Sequence, residues 1–194
     1  MKTLLKISKL GFPIEKFYQY YKPDLLRHVN MMRYYQVNTV FDVGANIGQF
    51  GMSLRTLKYP GRIISFEPLN EAYEKLKSHA SKDPKWITEH YALGEEESTH
   101  QINISNNSMS SSFLGMKNLH LKSAPSSQYI GKQEVKVKTL DGVFPQFAQE
   151  STVAYLKIDT QGFEKSVLDG GQASLRRIRL LQLELSIEEL YEGE

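Results

Sequence analysis

At 194 residues, with 40% hydrophobic and 24% charged side chains, the chain is long enough for one domain with a sizeable core, and its composition does not indicate disorder. It has no cysteine, which excludes disulfides, zinc–thiolate centres and cysteine nucleophiles. A net charge of only +2 gives no general case for a nucleic-acid partner. No apolar run approaches the roughly 20 residues that cross a bilayer, and Lys6 and Lys9 interrupt the start before a signal-peptide core forms. A cytoplasmic protein is expected.

Residues 1–38 read as a helical lead-in. Pro13 suits a first helical turn, and Pro23 followed by Asp24 marks a second start, after which Leu25, Leu26, Val29 and Met32 recur at helical spacing. The tyrosines at 18, 20, 21, 34 and 35 read as packing and surface residues. Seven Lys/Arg within residues 1–39, against Glu15 and Asp24, and five Glu in the last eleven residues read as two solvated faces.

The body alternates strand and helix. A buried strand, Thr39–Val43, leads into a helix over 48–58. A strand over 62–67 precedes a helix over 71–81 for which Asn70 is the expected N-cap, and 86–93 reads as a third strand. This order predicts parallel strands joined by crossovers, an α/β fold. Residues 98–104 and 133–138 alternate as an antiparallel pair. Between them, residues 105–128 hold eight Ser and three Asn, and read equally as a loose surface loop or as a substrate lid. Asp141 is expected to cap a helix through Phe147. Residues 153–158 form a strand, 162–168 start a helix, 179–185 form a last strand, and Ser186 begins a further helix.

Three strand ends carry polar residues, where an open α/β sheet binds ligands. The first is Asp42-Val-Gly-Ala-Asn-Ile-Gly48, whose Gly44 and Gly48 would let backbone N–H groups approach a ligand at a helix N-terminus. It is not the G-x-G-x-x-G of dinucleotide enzymes. An acid at its start would repel a pyrophosphate and favour a cationic ligand such as S-adenosylmethionine. The second is Glu67, 19 residues after Gly48, near the spacing at which a carboxylate meets ribose hydroxyls. The third is Asp159. Asp159 is the first candidate for a general base toward an acceptor hydroxyl, and Lys157 is the second if burial lowers its pKa. His90 is expected to point into the core. His120 is close enough to the Ser-rich segment to enter a site. Asp159 and Glu184 suggest a magnesium site, which is left out of the main reading.

The pieces Phe41-Asp-Val-Gly-Ala-Asn-Ile-Gly48, Ser65-Phe-Glu-Pro68, Tyr91-Ala-Leu-Gly94, Thr139-Leu-Asp141 and Leu156-Lys-Ile-Asp-Thr-Gln-Gly-Phe-Glu164 resemble the FkbM family of S-adenosylmethionine-dependent methyltransferases. The likeness runs from about Thr39 to Leu185. Lys157-Ile-Asp159 with Gly162 and Glu164 is its most specific part. The resemblance implies a class I methyltransferase, Rossmann-like α/β fold over 39–194 behind an N-terminal extension over 1–38. It also implies methyl transfer to a hydroxyl of a sugar, polysaccharide or natural product. By position in that family, Asp42, Gly44, Ala45, Asn46 and Gly48 would border the methionine part of the cofactor. Glu67 would take the ribose, Pro68 would flank the adenosine, Ala92 and Leu93 would lie near the adenine, and Asp159 would face the methyl group.

The family fold normally adds a C-terminal hairpin that this sequence does not reach. An open sheet edge covered by a partner subunit or by the N-terminal helices is expected. A nicotinamide oxidoreductase lacks its glycine pattern here. A cofactor-binding or interaction protein with an incomplete, non-catalytic site remains the alternative reading.

Overall fold

Most of the chain's strands are short and mainly apolar, and the first of them is buried at every position. In the computed structural model, which describes residues 23–193, the main elements run in chain order. They are α1 (Pro23–Tyr34), β1 (Thr39–Val43), α2 (Gln49–Thr56), β2 (Arg62–Phe66), α3 (Asn70–Ala80), β3 (Trp86–Glu89), β4 (Ala92–Gly94), β5 (Ser98–Ser105), α4 (Asn118–Ser123), β6 (Tyr129–Thr139), α5 (Leu140–Phe147), β7 (Ala154–Ile158), α6 (Glu164–Asp169) and β8 (Ile178–Leu183). Pro13, Tyr18, Tyr20 and Tyr21 lie outside the described residues.

β1, β2, β3, β7 and β8 form a five-stranded parallel sheet in the order β3-β2-β1-β7-β8. The chain winds outward from β1 to β3, then returns to the other side of β1 through β7 and β8. The carboxyl ends of β1 and β7 therefore flank the point where strand order reverses, which is where such sheets open a crevice. Strand alternation divides the core between the two faces. Val40, Ile63 and Tyr155 join Val29, Met32, Leu54 and Trp86 on one side. Phe41, Val43, Ile64, Phe66, Leu156 and Ile158 join Leu140 and Phe144 on the other. Both faces are covered, as parallel sheets require. Full burial of each of these large side chains stabilises the fold by roughly 1.5–3 kcal/mol.

A second sheet, β4-β6-β5, stands against the first. β5 and β6 form the expected antiparallel pair, and β4 runs parallel to β6.

The structure differs from expectation at five points. The single strand expected over 86–93 is two strands in two sheets: Glu89 pairs with Phe66, whereas Ala92 pairs with Val137. Between them Tyr91 is buried against Phe66, and His90 is exposed and stacks on Tyr73 instead of entering the core. Asn70 is the first residue of α3 and not its cap; the side-chain amide of Gln133 accepts from its N–H at 3.1 Å and donates to its Oδ1 at 3.3 Å. Thr139, not Asp141, caps α5, its Oγ1 accepting from Gly142 N at 3.0 Å. Asp141 instead accepts from Ala173 N and Ser174 N, at 3.0 and 2.7 Å, at the start of the 3₁₀ turn Ser174–Arg177. Finally, residues 186–193 are not helical; Tyr191 forms a bridge with Met116 and is buried. β8 is an outer strand of its sheet among the described residues, with Leu181 exposed.

Candidate active site

A cavity of about 890 Å³ opens at the carboxyl ends of β1, β2 and β7. Its size is that of a pocket for a nucleoside-sized ligand with room beside it. Gly44, Ala45, Asn46, Glu67, Pro68, Ala92, Leu93, Lys157 and Asp159 line it together, so most of the residues singled out from sequence converge there. Asp42 and Gly48 do not line it.

The β1–α2 loop is closed on itself. The N–H groups of Gly44 and Ala45 both donate to Phe66 O, that of Asn46 to Glu67 Oε2, that of Ile47 to Asn46 Oδ1, and that of Gly48 to Ala45 O. The loop is therefore no row of open donors, contrary to the sequence reading. Its glycines serve packing. A Cβ on Gly44, at φ +74°, would stand 1.9 Å from Asp159 O, and one on Gly48 would press on Leu76 and the Trp86 ring.

Glu67 is buried at the end of β2, with Oε2 accepting from Asn46 N at 2.8 Å and Oε1 from Leu69 N at 2.9 Å. Burial pushes its pKa up to about 7 in spite of these two hydrogen bonds. The carboxylate is fixed in orientation and keeps lone pairs for a diol. Apolar Leu69, Leu93, Ile102 and Phe113 line the cavity with it, giving a surface suited to a flat base.

Strand register places Ser65 opposite Asp42 and Asp42 opposite Lys157. A polar row results, one layer beneath the strand ends. Trp86 Nε1 donates to Ser65 Oγ at 3.0 Å, and Ser65 Oγ to Asp42 Oδ2 at 3.3 Å. Lys157 Nζ is 3.3 Å from Asp42 Oδ1, an ion pair not aligned as a hydrogen bond, and 3.1 Å from Asp159 Oδ2. Burial raises the Asp42 pKa and Lys157 pulls it back. Burial pulls Lys157 down, but the charges of Asp42 and Asp159 outweigh it and hold the lysine above its ordinary range. A burial-lowered base at Lys157 is thus not what the structure offers. Asp42, fully buried, serves to anchor that ammonium.

Asp159 sits in the turn after β7. Gln161 Nε2 donates to its Oδ1 at 3.1 Å. The turn is held by Glu164, whose carboxylate accepts from Thr160 N, Thr160 Oγ1 and Gly162 N at 2.7, 3.1 and 2.9 Å. Glu184, just beyond β8, also lines the cavity; partial desolvation and the neighbouring Asp159 charge raise its pKa. Among the described residues no group of three or more His, Asp or Glu is placed to hold a metal.

The Ser-rich segment packs as a wall of the cavity. Ser112 Oγ donates to Gln161 O at 2.6 Å, Ser105 Oγ to Ser127 O at 2.8 Å, and Asn103 Nδ2 to the carbonyls of Ser112 and Leu114 at 3.1 Å. Tyr191 OH reaches Gln161 Oε1 at 2.9 Å. His120 lines the cavity, its Nε2 3.2 Å from Ser127 Oγ and its ring edge-on to Tyr191. Asp24 and His28 of α1 also line the cavity, together with Gln49, Phe50, Ser53 and Gln182. Burial lowers the His28 pKa, opposed by Asp24. Sequence reasoning missed Asp24, His28, Gln161, Gln182 and Tyr191. Gln161 lies within the quoted piece Leu156–Glu164 but was given no role there, and the other four lie in no motif; in the fold Gln161 has a left-handed φ of 56°.

A switch-point cavity in a parallel α/β sheet, with an acidic residue fixed after β2 and another after β7, is that of a class I methyltransferase-like fold. The chain belongs to the methyltransferase FkbM domain family, which matches residues 42–193. It is also similar to the 2-O-methyltransferase NoeI of Sinorhizobium fredii (strain NBRC 101917 / NGR234), with 25% identity over 162 residues. That match covers 80% of this chain and 66% of the relative.

Proposed function

We propose that this chain is an S-adenosylmethionine-dependent O-methyltransferase acting on a hydroxyl of a sugar or sugar-bearing molecule. The convergence of Glu67 and Asp159 on one cavity, at the two sides of the strand-order switch, carries this reading. The family match and the printed activity of the NoeI relative support it.

The residues fit the cofactor. Glu67, oriented by two backbone N–H groups, would accept hydrogen bonds from the ribose hydroxyls. Pro68, Leu69, Ala92, Leu93, Ile102 and Phe113 would enclose the adenosine, and Gly44, Ala45 and Asn46 would border the methionine part. Bound there, S-adenosylmethionine supplies a methyl group already activated by its sulfonium. The protein's task is then alignment. Asp159, braced by Lys157 and Gln161, accepts the acceptor hydroxyl's hydrogen bond and takes its proton as the oxygen gains the methyl group. Lys157 holds Asp159 in place, and Asp42 holds Lys157. Glu164 fixes the turn that sets Asp159 at the cavity wall.

The test is transfer of isotope-labelled methyl groups to a library of neutral glycosides. Asp159→Asn is expected to slow turnover by about 10²–10⁴-fold while S-adenosylhomocysteine still binds. An unchanged rate would remove Asp159 from the reaction.

A further inference from the structure

Asp159 is held at both carboxylate oxygens. Lys157 Nζ, fixed from beneath by Asp42, lies 3.1 Å from Oδ2, and Gln161 Nε2 donates to Oδ1 at 3.1 Å. The ammonium is a point charge with three donors and tolerates many directions of approach. The amide is selective: its NH2 end suits a carboxylate, and its oxygen turned there would repel one. The roll of the Asp159 carboxylate therefore depends on what fixes the Gln161 amide.

The fixing group stands 30 residues further along the chain. Tyr191 OH donates to Gln161 Oε1 at 2.9 Å, with Ser110 O a more distant acceptor at 3.4 Å. A hydroxyl donating to Oε1 turns the NH2 end of the amide toward Asp159. Tyr191 itself has little freedom. Its ring is buried and lies edge-on to His120. Its backbone bridges Met116, Lys117 N donates to Leu190 O at 2.9 Å, and Glu192 N donates to Gly115 O at 2.8 Å. Lys117 and Glu189 form an ion pair beside them. Residues 189–193 are thus strapped to the Ser-rich segment, and that segment grips the same glutamine at its main chain through Ser112 Oγ. A tyrosine that only filled the core would need no more than its ring, which phenylalanine supplies. Here the hydroxyl is directed at an amide that touches Asp159.

We propose that Tyr191 is a positioning residue for methyl transfer: through Gln161 it fixes the roll of the Asp159 carboxylate, so that the segment after β8 completes a site whose chemistry sits after β7. This rests on the O-methyltransferase reading above, in which Asp159 takes the acceptor's proton as the oxygen gains the methyl group. A carboxylate free to turn spends less time aimed at that proton, and a misplacement of about 1 Å in a reacting group costs up to about 10²-fold in rate. Tyr191 and Gln161 therefore act on turnover, and the cofactor's own contacts at Glu67 are left as they are.

The test uses the full chain, labelled S-adenosylmethionine and the methyl hexoside that the parent methylates fastest. Tyr191→Phe keeps the buried ring and removes only the hydroxyl. Gln161→Met keeps the length of the side chain without its amide, and, like glutamine, is unbranched at a position where φ is 56°. Each is expected to lower kcat by about three- to thirtyfold, with the acceptor KM and the Kd of S-adenosylhomocysteine within about twofold of the parent. In an Asp159→Asn background either change should cost less than about twofold more, because the group it acts through is gone. An unchanged kcat in either variant overturns the proposal. So does a loss that persists in full in the Asp159→Asn background, or one that falls on cofactor affinity instead, since a merely structural Tyr191 would act whichever residue stood at 159. If Tyr191→Phe does not fold by far-UV circular dichroism, Gln161→Met decides by the same cycle. A parent chain that binds no cofactor, or that transfers no methyl group to any glycoside, overturns the O-methyltransferase reading itself.

Discussion

Glu67 gives the site a pH signature because its carboxyl titrates near neutrality. Burial lifts its pKa from 4.5 to about 7. The folded protein thus holds this proton more tightly than the unfolded chain. The associated stability is fully present below pH 4.5 and is lost as pH rises through about 7. Relative to Glu67→Gln, the parent should lose stability between pH 5 and 8, by at most about 3 kcal/mol, in urea unfolding of the cofactor-free protein. Affinity for S-adenosylhomocysteine should run the other way and weaken as pH falls below about 7, because a ribose diol donates best to the ionised form. Lys157 makes a second prediction. Lys157→Met leaves Asp42 as an unpaired buried charge, at a cost of about 3–5 kcal/mol in urea unfolding, and adding Asp42→Asn should recover part of it. The types of these residues were legible in the sequence, at the ends of apolar strands. Their partnerships were not. That Asp42 faces Ser65 and Lys157 depends on register between strands far apart in the chain, which periodicity does not encode.

The loops make the sharpest test at the level of elements. Gly44 lets the β1–α2 loop touch the backbone of the β7–α6 turn, and its φ is +74°. Gly44→Ala should destabilise the fold by about 2–4 kcal/mol, since a side chain there collides with backbone in a conformation that favours glycine. Gly131→Ala on β6, where a Cβ meets nothing within 4 Å, should lie within about ±0.5 kcal/mol of the parent. Thermal or urea unfolding of the pair checks the contrast. The existence and order of the elements were readable because the strands of the main sheet are mostly apolar runs, β5 and β6 alternate, and turns such as Tyr59-Pro60-Gly61 have their punctuation. What misled was competition between equivalent local signals. Thr139 and Asp141 are both good cap residues, and tertiary contact with Ala173 and Ser174 drew Asp141 away. Residues 86–93 are continuously compatible with a strand, and only the second sheet explains the break at His90. The polar composition of the Ser-rich segment left a loose loop and a substrate lid equally open; in the fold its hydroxyls bond to backbone carbonyls, and Ser105, Ser112 and Ser127 are buried.

Across the whole molecule, the site depends on both sheets at once. The main sheet supplies Glu67, Lys157 and Asp159. The second sheet and its Ser-rich segment supply Ile102, Phe113 and His120. Trp86, the chain's one tryptophan, is buried among Gly48, Gly51 and Ser65 beneath the β1–α2 loop. Its fluorescence and the far-UV circular dichroism should therefore unfold in a single coincident urea transition. Separate transitions would mean that the second sheet opens independently of the first. Ligand binding to the native state should raise that transition for both probes together. The central claim is that these two sheets enclose a nucleoside cofactor held by Glu67. Calorimetric titration of the folded chain with S-adenosylhomocysteine tests it most directly. The account predicts one-to-one binding that Glu67→Ala weakens by about tenfold or more; a folded sample that gives no heat, or that binds equally well without the Glu67 carboxylate, would contradict it.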